Sequence, residues 1–192
     1  PLSAIKLQLE SLELGLNPPD RVLPAVGRNV ERMQRVLDAL LSLARASGQR
    51  HEPVSLVRLV QESVQLLPGE AQARVALRSS VPPTLAVPNP YLVGQCVLNL
   101  VDNAVKYTSG GVTLSLEQAP GGAVVRVRDE GGGVPEALLG KLTHTFFRVS
   151  NTVEGSGLGL AFVKHIVRTL GGRLELRNTG AGLEVTLTLP TA

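Results

Sequence analysis

Residues 99–107, NLVDNAVKY, place two amides and an ammonium among packing residues. Asn99 and Asn103 stand one helical turn apart, and Lys106 and Tyr107 follow within the next turn. Asparagine is disfavoured inside helices because its amide competes for backbone hydrogen bonds, so two on one side need a reason. Their amide oxygens can ligand Mg²⁺ or its waters, and Lys106 can reach a phosphate; a polar face turned to solvent is the alternative. In RDEGGGVP, Asp129 ends a strand and Gly131, Gly132 and Gly133 follow, which permits close backbone approach to a ligand. A carboxylate there accepts an N–H. The exocyclic amine of adenine supplies one, whereas guanine presents a carbonyl. The alternative is a tight turn whose Asp caps a helix starting near Pro135. In EGSGLGLAF, Gly155, Gly157 and Gly159 precede a helix and gather free N–H groups at its positive end, an anion site. The spacing is G-x-G-x-G, neither the dinucleotide G-x-G-x-x-G nor a P-loop.

These stretches need elements to carry them. Leu2, Ile5, Leu9, Leu12 and Leu16 step by 3 and 4, and after NPPD the pattern resumes at Leu23, Val26, Val30, Met33, Leu37, Leu40 and Ala44. That heptad seam predicts a helical hairpin whose seam closes best against a second copy, as a four-helix bundle. SGQRHEP reads as a linker. Beyond it the pattern predicts a helix near 55–67, strands near 73–79 and 84–87, and a helix at 90–107. Period-2 strands follow at GVTLSLE, AVVRVRD, GRLELRN and LEVTLTL, with a helix over LGLAFVKHIVRTL between the two pairs. Gly121–Gly122 and residues 178–182 read as hairpin turns. The whole is α+β, one sheet with helices on a single face.

Composition sets bounds. With three Phe, two Tyr and no Trp, a core drawn from 43% hydrophobic residues must be Leu, Val and Ala. A net charge of +3, dispersed along the chain, is too mild for a nucleic-acid footprint. Cys96, the single cysteine, excludes an internal disulfide or a cysteine metal cluster, and its apolar surroundings predict burial. No run approaches the ~18 consecutive apolar residues of a membrane helix, and no signal peptide is present. The start at PLSAIK, without Met, reads as a piece of something longer.

Taken in order, N-x-x-x-N-x-x-K-Y, D-x-G-x-G, F-F-R and G-x-G-L-G-L closely resemble the N, G1, F and G2 boxes of sensor histidine kinases, in the GHKL ATPase superfamily. The resemblance covers residues 53–192, and the hairpin resembles the family's dimerisation and phosphoacceptor domain. It implies residues 1–48 as half of a dimeric bundle, 49–54 as linker with a hinge at 48–53, and 55–192 as an α/β-sandwich ATP-binding domain. It implies Asn103 as the Mg²⁺ ligand, with Asn99 assisting metal and γ-phosphate placement. Lys106 and Tyr107 would meet phosphate and ribose or the adenine rim, and Asp129 the adenine amine in a pocket shaped by Gly131 and Gly133. Arg148 would reach the γ-phosphate beside Phe147, and the loop at Gly155, Gly157, Leu158, Gly159 and Leu160 would hold phosphates under a lid at 149–154. Asn99, Lys106 and Arg148 are the expected catalytic set, with ATP and Mg²⁺ as cofactors. Expected partners are a second copy through residues 1–47 and the receiver domain of a response regulator, with neither nucleic acid nor direct membrane contact. The setting implied is the cytoplasmic part of a bacterial protein whose parent is membrane-anchored in many relatives.

PLSAIKLQLE resembles the stretch just after the family's H-E-x-R-[TN]-P-L, which puts the phosphoacceptor histidine before Pro1. His51, His144 and His165 all lie off the first helix and read as surface or structural. The expectation is therefore ATP binding without histidine phosphorylation in cis. Thr143 stands where the F box commonly has its first Phe, leaving Phe146 and Phe147 to anchor a short lid, and Asn89 replaces an Asp as a helix cap. Two other readings fit parts of the pattern: an ATP-binding pseudokinase or scaffold, and an anti-sigma-type serine kinase, against which the heptad hairpin argues.

Overall fold

A computed structural model describes residues 2–20, 22, 23, 25, 26, 51–82, 84–145, 147–149 and 157–191. The chain divides into two compact units, Pro1–Ser47 and Gly48–Ala192. In the first, helix α1 (Leu2–Glu13) is closed by backbone bonds from Gly15 N–H to the Leu12 carbonyl (3.0 Å) and from Leu16 N–H to that of Ser11 (2.9 Å). Of its heptad positions Ile5 and Leu12 are half-buried and Leu9 is exposed; Leu16, in the turn after the helix, and Leu23, at the start of the second heptad run, are exposed as well. The rest of the second heptad run, 27–44, lies outside the described residues.

The second unit begins with strand β1 (His51–Val54), then helix α2 (Leu56–Gln65), the short α3 (Gly69–Gln72), β2 (Val75–Ser79) and β3 (Leu85–Pro88). Helix α4 (Pro90–Tyr107) follows, then β4 (Val112–Ala119), β5 (Gly122–Asp129), the one-turn α5 (Glu136–Leu139), α6 (Gly159–Thr169), β6 (Arg173–Thr179) and β7 (Gly182–Pro190). Five strands form one sheet in the order β2-β4-β5-β7-β6, parallel between β2 and β4 and antiparallel elsewhere. β1 and β3 make a separate antiparallel pair, His51 opposite Pro88 and Val54 opposite Leu85.

This pair differs from the sequence expectation twice. Residues 51–54, read as linker, are a strand, and the strand near 84–87 leaves the main sheet to join it. Pro53 hid the strand, since proline lacks the N–H of a ladder. A two-stranded ribbon tolerates that loss because each strand has a free edge.

The core follows from alternation. Val112, Leu114 and Leu116 of β4, Ala123, Val125 and Val127 of β5, and Val185, Leu187 and Leu189 of β7 are buried. They meet the buried faces of α4 (Leu92, Val93, Val97, Leu100, Val101) and α6 (Val163, Ile166, Val167). The intervening Thr113, Ser115, Arg126 and Thr186 line the other, polar face. The core is aliphatic throughout, as the composition requires. No helix among the described residues is long and apolar enough to cross a membrane.

Candidate nucleotide site

Helix α4 is the spine of the site. Asn89, in the left-handed region at φ 42°, accepts the Leu92 N–H on its Oδ1 (3.2 Å), and Pro90 sets the first turn. Leu92, Cys96, Asn99 and Asn103 fall in one stripe along the helix. The first two are fully buried and the next two half-buried, so the stripe turns from packing to polar where it leaves the core. Asn99 donates its side-chain N–H to the Gln95 carbonyl (2.9 Å), which fixes the rotamer and leaves Oδ1 facing outward from that bond.

The G-x-G-x-G loop arrives at this stripe. A Cβ on Gly159 would sit 3.0 Å from Asn103 Nδ2 and 3.4 Å from Asn99 Oδ1, so the first turn of α6 packs closely against both amides. Leu158 caps α6 with no side-chain bond, and Phe162 N–H to the Leu158 carbonyl (2.8 Å) is the first bond of the helix. The amides of Gly159, Leu160 and Ala161 are thus left at the positive helix end, with no acidic residue in the first turn. Gly157 is described at φ 67°, and Gly155 lies outside the described residues.

One turn further on, about 6 Å along the α4 axis, the glycine loop after β5 touches the same helix. A Cβ on Gly131 would lie 2.7 Å from the Tyr107 carbonyl, 3.1 Å from Asp129 Oδ1 and 3.3 Å from Thr108 Cβ. Asp129 is 7% exposed, and its Oδ1 accepts N–H groups from Gly131 (2.8 Å) and Leu183 (3.2 Å). Among the described residues no group donates to Oδ2, which is left as an acceptor. The short helix α5 takes Pro135 as its cap without a side-chain bond. Asp129 therefore holds the turn, as one sequence reading had it, but does not cap the helix.

The cations differ in their surroundings. Lys106 Nζ is 2.5 Å from Asp102 Oδ2, an i, i+4 pair that ties the ammonium to its own helix. Phe147 and Arg148 are half-buried and Tyr107 is exposed. Thr143, in place of an aromatic, accepts a bond from Lys164 Nζ of α6 (3.0 Å). Phe146 and residues 150–154 lie outside the described residues. His144 and His165 are exposed, in keeping with surface histidines.

Several supporting residues escaped the sequence reading. Arg74 donates from Nε to the Gly110 carbonyl (3.1 Å) and from its terminal nitrogen to the Val105 (3.4 Å) and Thr108 carbonyls, closing the C-terminal end of α4. Glu130 accepts the Gly111 N–H (2.9 Å), and Asn178 of β6 braces Val134. Each lies far in sequence from the residue it braces, and no motif spacing marks it.

Residues 89–192 match the family model described as histidine kinase-, DNA gyrase B- and HSP90-like ATPase. Sensor histidine kinase GtrS of Pseudomonas aeruginosa is 31% identical over 193 residues, covering 99% of this chain and 39% of that protein. Sensor protein CreC of Escherichia coli is 32% identical over 198 residues, 95% of this chain and 40% of that protein. The chain thus spans about two fifths of the length of these relatives. The solved structure of the mycobacterial sensor histidine kinase MprB is 30% identical with a TM-score of 0.63, covering 73% of this chain and 97% of that one.

Proposed function

The chain belongs to the histidine kinase-, DNA gyrase B- and HSP90-like ATPase family and carries the ATP-binding catalytic domain of a sensor histidine kinase; from that we propose that it moves the γ-phosphoryl of ATP to a histidine, and thence to an aspartate of a response regulator. The carrying observation is convergence on α4: Gly159 meets Asn103 and Asn99, Gly131 meets Tyr107 one turn on, and a buried carboxylate stands beside the second contact.

Asp129 Oδ2 is the acceptor for the exocyclic amine of adenine, with Gly131 and Gly133 forming the pocket wall and Tyr107 and Phe147 its rim. The amides at Gly157, Leu158, Gly159 and Leu160, continued by Gly155, hold the phosphates. Lys106 and Arg148 neutralise charge toward the γ-phosphate, the main demand of phosphoryl transfer. The donor set fits a hard cation: Asn103 and Asn99 offer amide oxygens beside a phosphate site, and no cluster of His, Cys, Asp or Glu competes among the described residues. Asn103 would hold Mg²⁺ with help from Asn99, and the ion would supply further neutralisation of the triphosphate. The chain works as a homodimer through residues 1–47, in the cytoplasm, with a receiver domain as its protein partner.

Thermal unfolding with ADP and a non-hydrolysable ATP analogue, with and without Mg²⁺, tests this. Ligand at ~100 times its Kd stabilises by about 2.7 kcal/mol. Asp129→Asn keeps the bonds to Gly131 and Leu183 but turns an N–H toward the adenine amine, and loss of a charged hydrogen bond weakens binding roughly ten- to 150-fold. Asn103→Asp alters the Mg²⁺ dependence. Absence of any shift with adenine nucleotides would refute the reading.

A further inference from the structure

The loop between Asp129 and α5 has few bonds of its own and is held from outside, by the β6–β7 hairpin. Gly132 N–H bonds the Ala181 carbonyl (3.0 Å) at the turn of that hairpin. Further along, one side chain holds both backbone groups of Val134. Asn178 Oδ1 accepts its N–H (3.0 Å), and Asn178 Nδ2 donates to its carbonyl (2.7 Å) and to Glu136 Oε2 (3.0 Å). Gly133, at φ 78°, leaves room for this: a Cβ there would lie 2.6 Å from Asn178 Oδ1. Asn178 and Leu183 are also direct cross-strand partners, and Leu183 N–H is the second donor to Asp129 Oδ1. One register pair of the hairpin therefore fixes both ends of the loop, the carboxylate at its start and Val134 at its close.

We propose that Asn178 is a positioning residue for the adenine end of the nucleotide site: it sets the spacing between the glycine loop and Asp129, and so sets nucleotide affinity through the loop. The inference rests on the adenine-site reading above. It gives a role to a residue whose sequence signal was only that of a hairpin turn.

The test is the Kd for ADP by calorimetry, with the nucleotide-free unfolding midpoint, for wild type, Asn178→Ala, Asn178→Asp, Glu136→Gln and the double variant Asn178→Asp with Glu136→Gln. Asn178→Ala removes three bonds and weakens ADP about tenfold. Asn178→Asp keeps the acceptor for Val134 N–H but sets a carboxylate oxygen against both the Val134 carbonyl and the Glu136 carboxylate, and binds no better than Asn178→Ala. Adding Glu136→Gln replaces the repulsion at residue 136 with an amide donor while the contact with the Val134 carbonyl stays lost, so the double variant recovers in part and binds ADP about threefold better than Asn178→Asp. Glu136→Gln alone stays near wild type. A general structural role would lower the midpoints without this charge-specific recovery. The proposal is overturned if Asn178→Ala binds ADP within about twofold of wild type, or if the double variant binds no better than Asn178→Asp, a comparison that stands even if Asn178→Ala does not fold. If wild type itself binds no ADP, the adenine-site reading falls first, and that failure is visible without any variant.

Discussion

Cys96 shares the α4 stripe with Asn99 and Asn103 but sits one turn deeper, where it is fully buried, and burial pushes its thiol up from 9.0 to about 12. Folding therefore has a pH dependence of known sign. Between pH 9 and 12 the unfolded chain has lost this proton and the folded chain keeps it, so stability present below pH 9 is lost as pH rises. At 1.36 kcal/mol per unit, the step from pH 9 to 10.5 costs about 2 kcal/mol. Urea unfolding at pH 8 and 10.5 should show that loss in wild type and a correspondingly smaller one in Cys96→Val, and iodoacetamide should leave the native thiol unmodified. Equal losses in the two proteins would show that the thiol ionises alike folded and unfolded. The burial itself was legible from YLVGQCVLNL, because a lone Cys among aliphatic residues packs as one of them. Asp129 was legible only in part. Its place at the end of a strand before three glycines follows from the sequence, whereas the two backbone donors on Oδ1 come from residues 2 and 54 positions away, and only the folded chain joins them.

Helix α4 ends where the Tyr107 carbonyl meets the glycine loop at Gly131, yet its own residues supply no C-terminal cap: Thr108 is extended at φ −130°. Arg74 does the work from the turn before β2, binding three carbonyls at once. A planar guanidinium suits that task and an ammonium does not. Arg74→Lys should cost roughly 1.5–3 kcal/mol in chemical unfolding, the scale of hydrogen bonds to a charged group, and should weaken nucleotide binding more than an equally destabilising substitution distant from α4. A stability loss under about 0.5 kcal/mol would mean that the helix end holds without the bridge. This scale also marks how far periodicity carries. The bounds of α4 and the alternation of β4, β5 and β7 follow from spacing, because each buries one face. β1 does not, because four residues containing a proline make no pattern. Which edge β3 joins is decided by pairing across 31 or more positions, a matter of topology and not of local sequence.

The two units of the chain pose different burial problems. The ATP domain closes its own core, with Leu114, Leu116, Leu187 and Leu189 at most 1% exposed. In the first unit Leu9 is 41%, Leu16 71% and Leu23 57% exposed, the first two from the first heptad run and the third from the start of the second. A seam exposed in one chain and spaced by 3 and 4 is what a second copy covers in a symmetric bundle. Burial of each such side chain is worth about 1.5–3 kcal/mol, so charges there should dissociate a dimer without disturbing a domain that folds separately. Sedimentation at micromolar concentration should give a dimer for wild type and a monomer for Leu9→Asp with Leu16→Asp, while ADP affinity stays within about twofold, since the α4 site is built from residues of the second unit. A monomeric wild type would remove the homodimer from the proposed function. If affinity fell together with association, the nucleotide site would instead depend on the hairpin, and separate folding of the two units would be the premise to discard.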